Sequence, residues 1–335
     1  MPSALRRPRS VVVIAVVTVL CVAAVLGARA NRLPDVHARA TGVTGVTDLT
    51  RPAWYGLRVL SGPTGFVATD AGLPPPDIRA AGGILVDIDR GTILWQHDAH
   101  AQLPPASTAK ILTALVALEN FSPAARVTVP ASAVHLEWDE TRMGLAAGQA
   151  FTIQELLTGM MLVSGNDAAN AMADGTVGME RFVGAMNGQV AALGLHDSHF
   201  TSPVGLQDQA QYSSAYDLAV ISAAAVRQFP LFRQIVAMRT ATLPATAGHP
   251  QFDMQSIDTL LAMYPAAVGI KPGWTGDAGY CEVGMAVRDG HRLISVLLNA
   301  NYSFSQSRRL LDWGFTTEGL ASTLPPPTAV PSPHA

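Results

Sequence analysis

The reading turns on one stretch: Pro104-Pro105-Ala106-Ser107-Thr108-Ala109-Lys110-Ile111-Leu112-Thr113-Ala114-Leu115-Val116-Ala117-Leu118-Glu119. Two prolines suit the approach to a helix, and apolar residues then recur at Ile111, Leu112, Leu115, Val116 and Leu118. The spacing predicts a helix over residues 107–120 with Ser107 at or near its start. Lys110 follows Ser107 by three, so the two share a helix face about one turn apart. A serine hydroxyl is a weak nucleophile until a neighbouring base takes its proton, and a desolvated lysine can serve as that base. The helix N-terminus adds backbone N–H groups that face a developing oxyanion. Serine and lysine at this spacing also occur on ordinary surface helices, so the pattern acquires meaning only from its company.

Working outward, residues 83–89 and 92–95 are apolar runs flanking Arg90-Gly91, which reads as a hairpin. Thr152 and Glu155 make a capping-box pattern ahead of Leu156, Leu157, Met160 and Met161. Residues 180–193 repeat apolar positions at Phe182, Val183, Met186, Val190 and Leu193 until Gly194 stops them. Ser214 and Asp217 open another helix, strands are expected over 267–271, 280–287 and 292–298, and a last helix covers about 305–313. Strands first, helices in the middle, then strands and a helix predict an α+β fold whose two chain ends share a sheet.

The flanks are of another kind. Arg6, Arg7 and Arg9 precede an uncharged run over residues 11–27, and Ala28-Arg29-Ala30 offers an A-x-A cleavage site. That is the layout of an export signal, and the run is also long enough to span a bilayer. Residues 1–30 are therefore read as a signal peptide or a membrane anchor through residues 11–28. Either places the remainder outside the cytoplasm, and an uncleaved segment makes the cytoplasmic membrane a partner. Residues 31–78 lack sustained periodicity and read as a linker, 79–318 as one domain, and 319–335 as a proline-rich tail. No internal repeat is visible.

Of the 335 residues 49% are apolar and 14% charged, which excludes a disordered chain and supplies a core. A net charge of −3 leaves no basic footprint for nucleic acid. Two cysteines, Cys21 inside the apolar run and Cys281, are too few for a disulfide framework or a thiolate metal site. His97 and His100 beside Asp98 read as a wet loop, and no metal or organic cofactor is expected.

Two further motifs accompany Ser107 and Lys110. Ser164-Gly165-Asn166 breaks two apolar helical stretches, where the plain reading is capping. Lys271-Pro272-Gly273-Trp274-Thr275-Gly276 stands at the end of a strand, where the plain reading is a turn with a solvated lysine. In this order the three resemble the S-x-x-K, S-x-N and K-T-G motifs of the penicillin-interacting serine enzymes. The blocks PPASTAKILTALVALE, MLVSGNDAANAMAD, FTSPVGL, YSSAYDLA and GIKPGWTGDAGYC narrow the resemblance to the D-alanyl-D-alanine carboxypeptidases, the low-molecular-mass penicillin-binding proteins. It covers about residues 79–315.

The resemblance implies a β-lactamase/DD-peptidase-like fold: an antiparallel sheet flanked by helices, a helical subdomain, and the site in the crevice between. It implies that Ser107 attacks the carbonyl between two D-alanines of a peptidoglycan stem peptide, and that β-lactam antibiotics bind. Lys110 would be the general base, Ser164 a proton relay, and Asn166 a ligand for Lys110 or the substrate amide. Lys271 would supply charge, Ser107 and Trp274 backbone N–H groups the oxyanion hole, with Gly273 and Thr275 beside them in the substrate site. Three positions depart from the family pattern: Pro272 replaces a Thr or Ser, Ser303 aligns where an arginine is expected, and Asp258 replaces an Asn. Pro272 motivates a rival reading, a weakly active or non-catalytic envelope protein that binds penicillin or peptidoglycan. A class A-like β-lactamase is the other, against which stand the missing S-D-N motif and the lack of a deacylating glutamate block after Ser164.

Overall fold

The first and last strands of the described residues lie in one sheet. The structure is a computed structural model and describes residues 65–206 and 208–324. The N-terminal apolar run lies outside them, and among the described residues no helix is long and apolar enough to cross a membrane.

The chain enters through β1 (Val67–Ala68), β2 (Gly82–Asp87) and β3 (Thr92–His97). A 3-10 turn (Ala106–Ala109) leads into α1 (Lys110–Asn120). The helical subdomain follows, with β4 (Arg126–Thr128), β5 (Ala150–Thr152), α2 (Ile153–Leu162), α3 (Asn166–Asp174) and α4 (Met179–Ala192). Then come α5 (Ala215–Gln228), α6 (Pro230–Val236), a small hairpin of β6 (Thr240–Leu243) and β7 (Phe252–Gln255), and α7 (Leu260–Met263). The chain returns through β8 (Ala267–Thr275), β9 (Gly279–Arg288) and β10 (His291–Leu298) to α8 (Ser303–Thr317).

The main sheet has the order β1-β3-β2-β10-β9-β8, antiparallel except for the short β1–β3 pair. The pairing of β2 with β10 joins the early and late parts of the domain, as the strand pattern predicts. Every residue of β2 is buried because helices cover both faces. Ile84 and Val86 pack in the core that includes α1 and α5, whereas Leu85 packs with Leu310, Leu311 and Phe315 of α8. That two-residue alternation explains a strand with no polar face.

Local signals account for much of the rest. Thr152 Oγ1 accepts from Glu155 N at 3.2 Å while Glu155 Oε2 accepts from Thr152 N at 2.7 Å, so the predicted capping box is present. Ser214 caps α5 by accepting from Asp217 N at 3.1 Å. Helix α1 departs from expectation, since Lys110 through Leu118 are buried all round. It is the central helix, packed by α2, α3, α4 and α5, so it has no solvated stripe. Short β1, from the stretch read as linker, and the β6–β7 hairpin carried no sequence signal.

Candidate active site

Ser107 sits in the 3-10 turn ahead of α1, next to a strained residue. Ala106 has φ +48°, a left-handed conformation unusual for a residue with a Cβ. Gly205 packs against it with φ +85°, and a Cβ on Gly205 would stand 1.8 Å from the Ala106 carbonyl oxygen. Only glycine fits, which gives the FTSPVGL block a physical reason. The same close approach brings the Val204 carbonyl over the site.

Lys110 is fully buried beneath Ser107. Its Nζ lies 2.8 Å from Ser107 Oγ, 2.7 Å from Asn166 Oδ1, 3.1 Å from the Val204 carbonyl and 3.4 Å from Ser164 Oγ. Burial, and next the repulsion from Lys271, hold its ammonium well below the usual lysine range, against the attraction of Glu140 and Asp167. A neutral amine has two N–H bonds and one lone pair. Asn166 Oδ1 and the Val204 carbonyl can only accept, so they take the two N–H bonds. The lone pair is left for a serine hydroxyl.

Ser164 breaks α2 from α3 in a left-handed conformation, φ +60°. Contrary to the capping reading, Gly165 is the N-cap of α3 and makes no side-chain cap. The polar side chains of Ser164 and Asn166 are buried and turned to Lys110 instead. A strap over residues 140–145 holds this turn in place. Thr141 Oγ1 donates to Ser164 O (2.7 Å), and Asn166 N donates to Thr141 O (2.9 Å). Asp167 accepts from the backbone N–H groups of Met143, Gly144 and Leu145 at 2.7–2.9 Å. Glu140 Oε2 accepts from Asn166 Nδ2 at 2.6 Å, which orients the amide with its oxygen toward Lys110. Sequence reasoning missed Glu140, Thr141 and Val204, because nothing local marks them.

The third motif forms the C-terminal part of β8 and runs one residue past it, and its lysine is not solvated. Edge position explains how a strand accommodates Pro272, which cannot donate to a ladder. Gly273 touches the serine turn: a Cβ there would stand 2.8 Å from Ser107 N and 3.2 Å from Thr108 N. Lys271 is fully buried and donates to the Pro272 carbonyl at 3.1 Å. Burial lowers it to about 8, while Asp258 and Glu282 pull the other way. Glu282 is buried opposite Pro272, and burial, then Asp258, push its carboxyl well above the usual range. The only hint of this glutamate was a charged residue within an apolar strand.

A crevice of about 520 Å³ joins these parts. Ser107, Ser164, Asn166, Gly273, Trp274 and Thr275 line it, as do Pro272 and Ser303. Lys110 and Lys271 sit behind the wall. Cys281 also borders the crevice, but burial pushes its thiol up to about 12, so it stays protonated and does not rival Ser107. His100, read as part of a wet loop, lies apart on Asp197 at 2.8 Å.

Comparison with known proteins identifies the family and the fold. Residues 69–302 match the peptidase S11 family, described as D-alanyl-D-alanine carboxypeptidase. The D-alanyl-D-alanine carboxypeptidase DacB2 of Mycobacterium tuberculosis is 37% identical over 258 residues, covering 75% of this chain and 87% of that protein. The chain belongs to the D-alanyl-D-alanine carboxypeptidase family. A crystal structure of a D-alanyl-D-alanine carboxypeptidase from Mycobacterium tuberculosis superposes with a TM-score of 0.67 at 36% identity, covering 73% of this chain and 94% of that one. The Streptomyces K15 DD-transpeptidase superposes with 0.68 at 31% identity, covering 73% and 100%. The DacF carboxypeptidase of Bacillus subtilis is longer, and the match spans 62% of it at 29% identity. The family's fold, a sheet flanked by helices with a helical subdomain, is the fold described above.

Proposed function

We propose that this protein is a serine D-Ala-D-Ala carboxypeptidase that acts on peptidoglycan stem peptides through an acyl-enzyme and binds β-lactam antibiotics. One observation carries the reading. Lys110 Nζ lies 2.8 Å from Ser107 Oγ with its other directions filled by pure acceptors. Ser107 Oγ attacks the scissile carbonyl as its proton passes to Lys110, directly or through Ser164. The oxyanion is held by the backbone N–H groups of Ser107 and Trp274. The C–N bond breaks, and the leaving nitrogen takes the proton from Lys110. Water then attacks the ester, gives a proton back through Lys110, and releases Ser107. The positive charge of Lys271 favours the oxyanion from behind the wall.

The catalytic domain is assigned to residues 79–318, worked outside the cytoplasm after export through residues 1–30, which stay as a membrane anchor or are removed. Fluorescent penicillin on the purified protein, followed by D-alanine release from a D-Ala-D-Ala peptide, tests the reading. Labelling with D-alanine release is expected. Labelling without release would favour the binding-only alternative that Pro272 raises, and rapid drug turnover a β-lactamase.

A further inference from the structure

The end of the sheet remote from the crevice carries a second convergence of polar side chains. Asp87 ends β2, His291 opens β10 and Glu318 caps the C-terminus of α8. The crevice lies toward the other end of β10, where Ala300 N donates to Tyr280 O at 2.8 Å and Tyr280 and Ser303 line the wall. Among the described residues, Asp87, His291 and Glu318 are the one group of three such side chains whose donor atoms all lie within 4.8 Å of one another. Three distant stretches supply them, so no spacing motif marks the group.

Asp87 decides what the group can hold. Its side chain is fully buried, and Oδ1 accepts from Asp89 N at 2.7 Å and Arg90 N at 3.0 Å, which fixes the carboxylate. Oδ2 is buried without a hydrogen-bond partner. An open buried carboxylate oxygen is costly and marks a place for a ligand. His291 Nδ1 lies 3.6 Å from that oxygen and 3.9 Å from Glu318 Oε2. These gaps are too long for hydrogen bonds. They are close to the separation of two ligands on one tetrahedral ion, about 3.4 Å for bonds of about 2.1 Å. One imidazole and two carboxylates suit zinc, whereas calcium takes six or more oxygens. The nearby cations leave room. Arg292 Nε is engaged by Asp89 Oδ1 at 3.0 Å, and Arg227 by the Ile88 carbonyl. Arg90 is the competitor, since its guanidinium pairs with Glu318 Oε2, but its side chain is half exposed and free to swing away.

We propose that Asp87, His291 and Glu318 bind a zinc-type divalent cation that staples the end of α8 to the sheet, away from the crevice. The two N–H groups on Asp87 Oδ1 are then the outer contacts that hold a ligating carboxylate in place. The ion has no part in the chemistry at Ser107. It stabilises the folded chain, because the three ligands come together only there.

The test uses the full-length protein, freed of metal by a chelator, with zinc chloride as the probe. Titration calorimetry should show one equivalent bound, and a roughly hundredfold excess over its Kd should raise the unfolding midpoint by about 5 °C. His291→Ala should lose both the equivalent and the zinc-dependent rise. Asp87→Asn keeps an oxygen for the turn and should weaken zinc by about tenfold or more. Arg90→Ala should act in the opposite direction and tighten zinc by roughly several-fold, because it leaves Glu318 to the ion. Circular dichroism checks the fold of the metal-free variants, and Arg90→Ala keeps the test decisive if a ligand variant fails to fold. Zinc binding that is unchanged in His291→Ala and Asp87→Asn would place the ion elsewhere and overturn the proposal. So would an unfolding midpoint of the parent protein that zinc leaves unmoved, or an Arg90→Ala variant that binds zinc no tighter.

Discussion

The two walls of the crevice differ in how completely their polar atoms are satisfied. On the helical wall, Lys110 Nζ has four oxygens within 3.4 Å, and Asn166 is held between Lys110 and Glu140. On the strand wall, Asp258 Oδ2 and both carboxylate oxygens of Glu282 are buried without a hydrogen-bond partner, and Lys271 reaches only a backbone carbonyl. Satisfied polar networks are rigid, and unsatisfied ones are costly and kept for a reason or tolerated where selection is weaker. The polar network around Lys110 is closed, whereas the carboxylates behind the strand wall are left open.

The sharpest way to break that contrast is at Ser107. Ser107→Ala should abolish the covalent penicillin adduct and leave the circular dichroism spectrum unchanged, since the change removes one half-exposed hydroxyl. An adduct mapped by mass spectrometry to Ser164 would move the nucleophile to the other motif. Next comes Lys110→Arg, expected to lower the acylation rate by about two to four decades, because arginine stays protonated and cannot accept the serine's proton. Near-normal acylation by that variant would make Lys110 a source of charge and not the base.

The strand wall should answer more gently. Pro272→Thr restores a hydroxyl beside the carbonyl that Lys271 holds, and a charge-assisted hydrogen bond to a substrate carboxylate changes rate by about tenfold. Turnover of a free D-Ala-D-Ala peptide should rise more than that of its amide-capped analogue. Equal gains would show that Pro272 acts through strand geometry alone.

The smallest effects are in the pH profile, where each wall owns one limb. Acylation is expected to rise with pH as Lys110 loses its proton, and to fall above about 8 as Lys271 loses its own. Glu140 favours the charged form of Lys110, so Glu140→Ala should carry the rising limb to lower pH. Asp258 favours the charged form of Lys271, so Asp258→Asn should carry the falling limb to lower pH while the rising limb stays. Movement of both limbs in either variant would mean that the walls titrate as one system.

What the sequence determined on its own was whatever is encoded over a few residues. The i, i+3 spacing of Ser107 and Lys110, the Thr152–Glu155 capping box, the Ser214 cap and the turn at Arg90-Gly91 are local interactions, so they are legible in a short window. The order of the three motifs carried the family. Tertiary structure alone decided what surrounds Lys110. The Val204 carbonyl and Asn166 reach it from 94 and 56 residues away, and Glu140 reaches Asn166 from 26. It also decided that the Lys271 motif continues a buried edge strand, because β9 supplies its pairing and Glu282 lies opposite Pro272. Burial raises or lowers a pKa only once distant elements have excluded water, and no local pattern records which carboxylates will share that dry space.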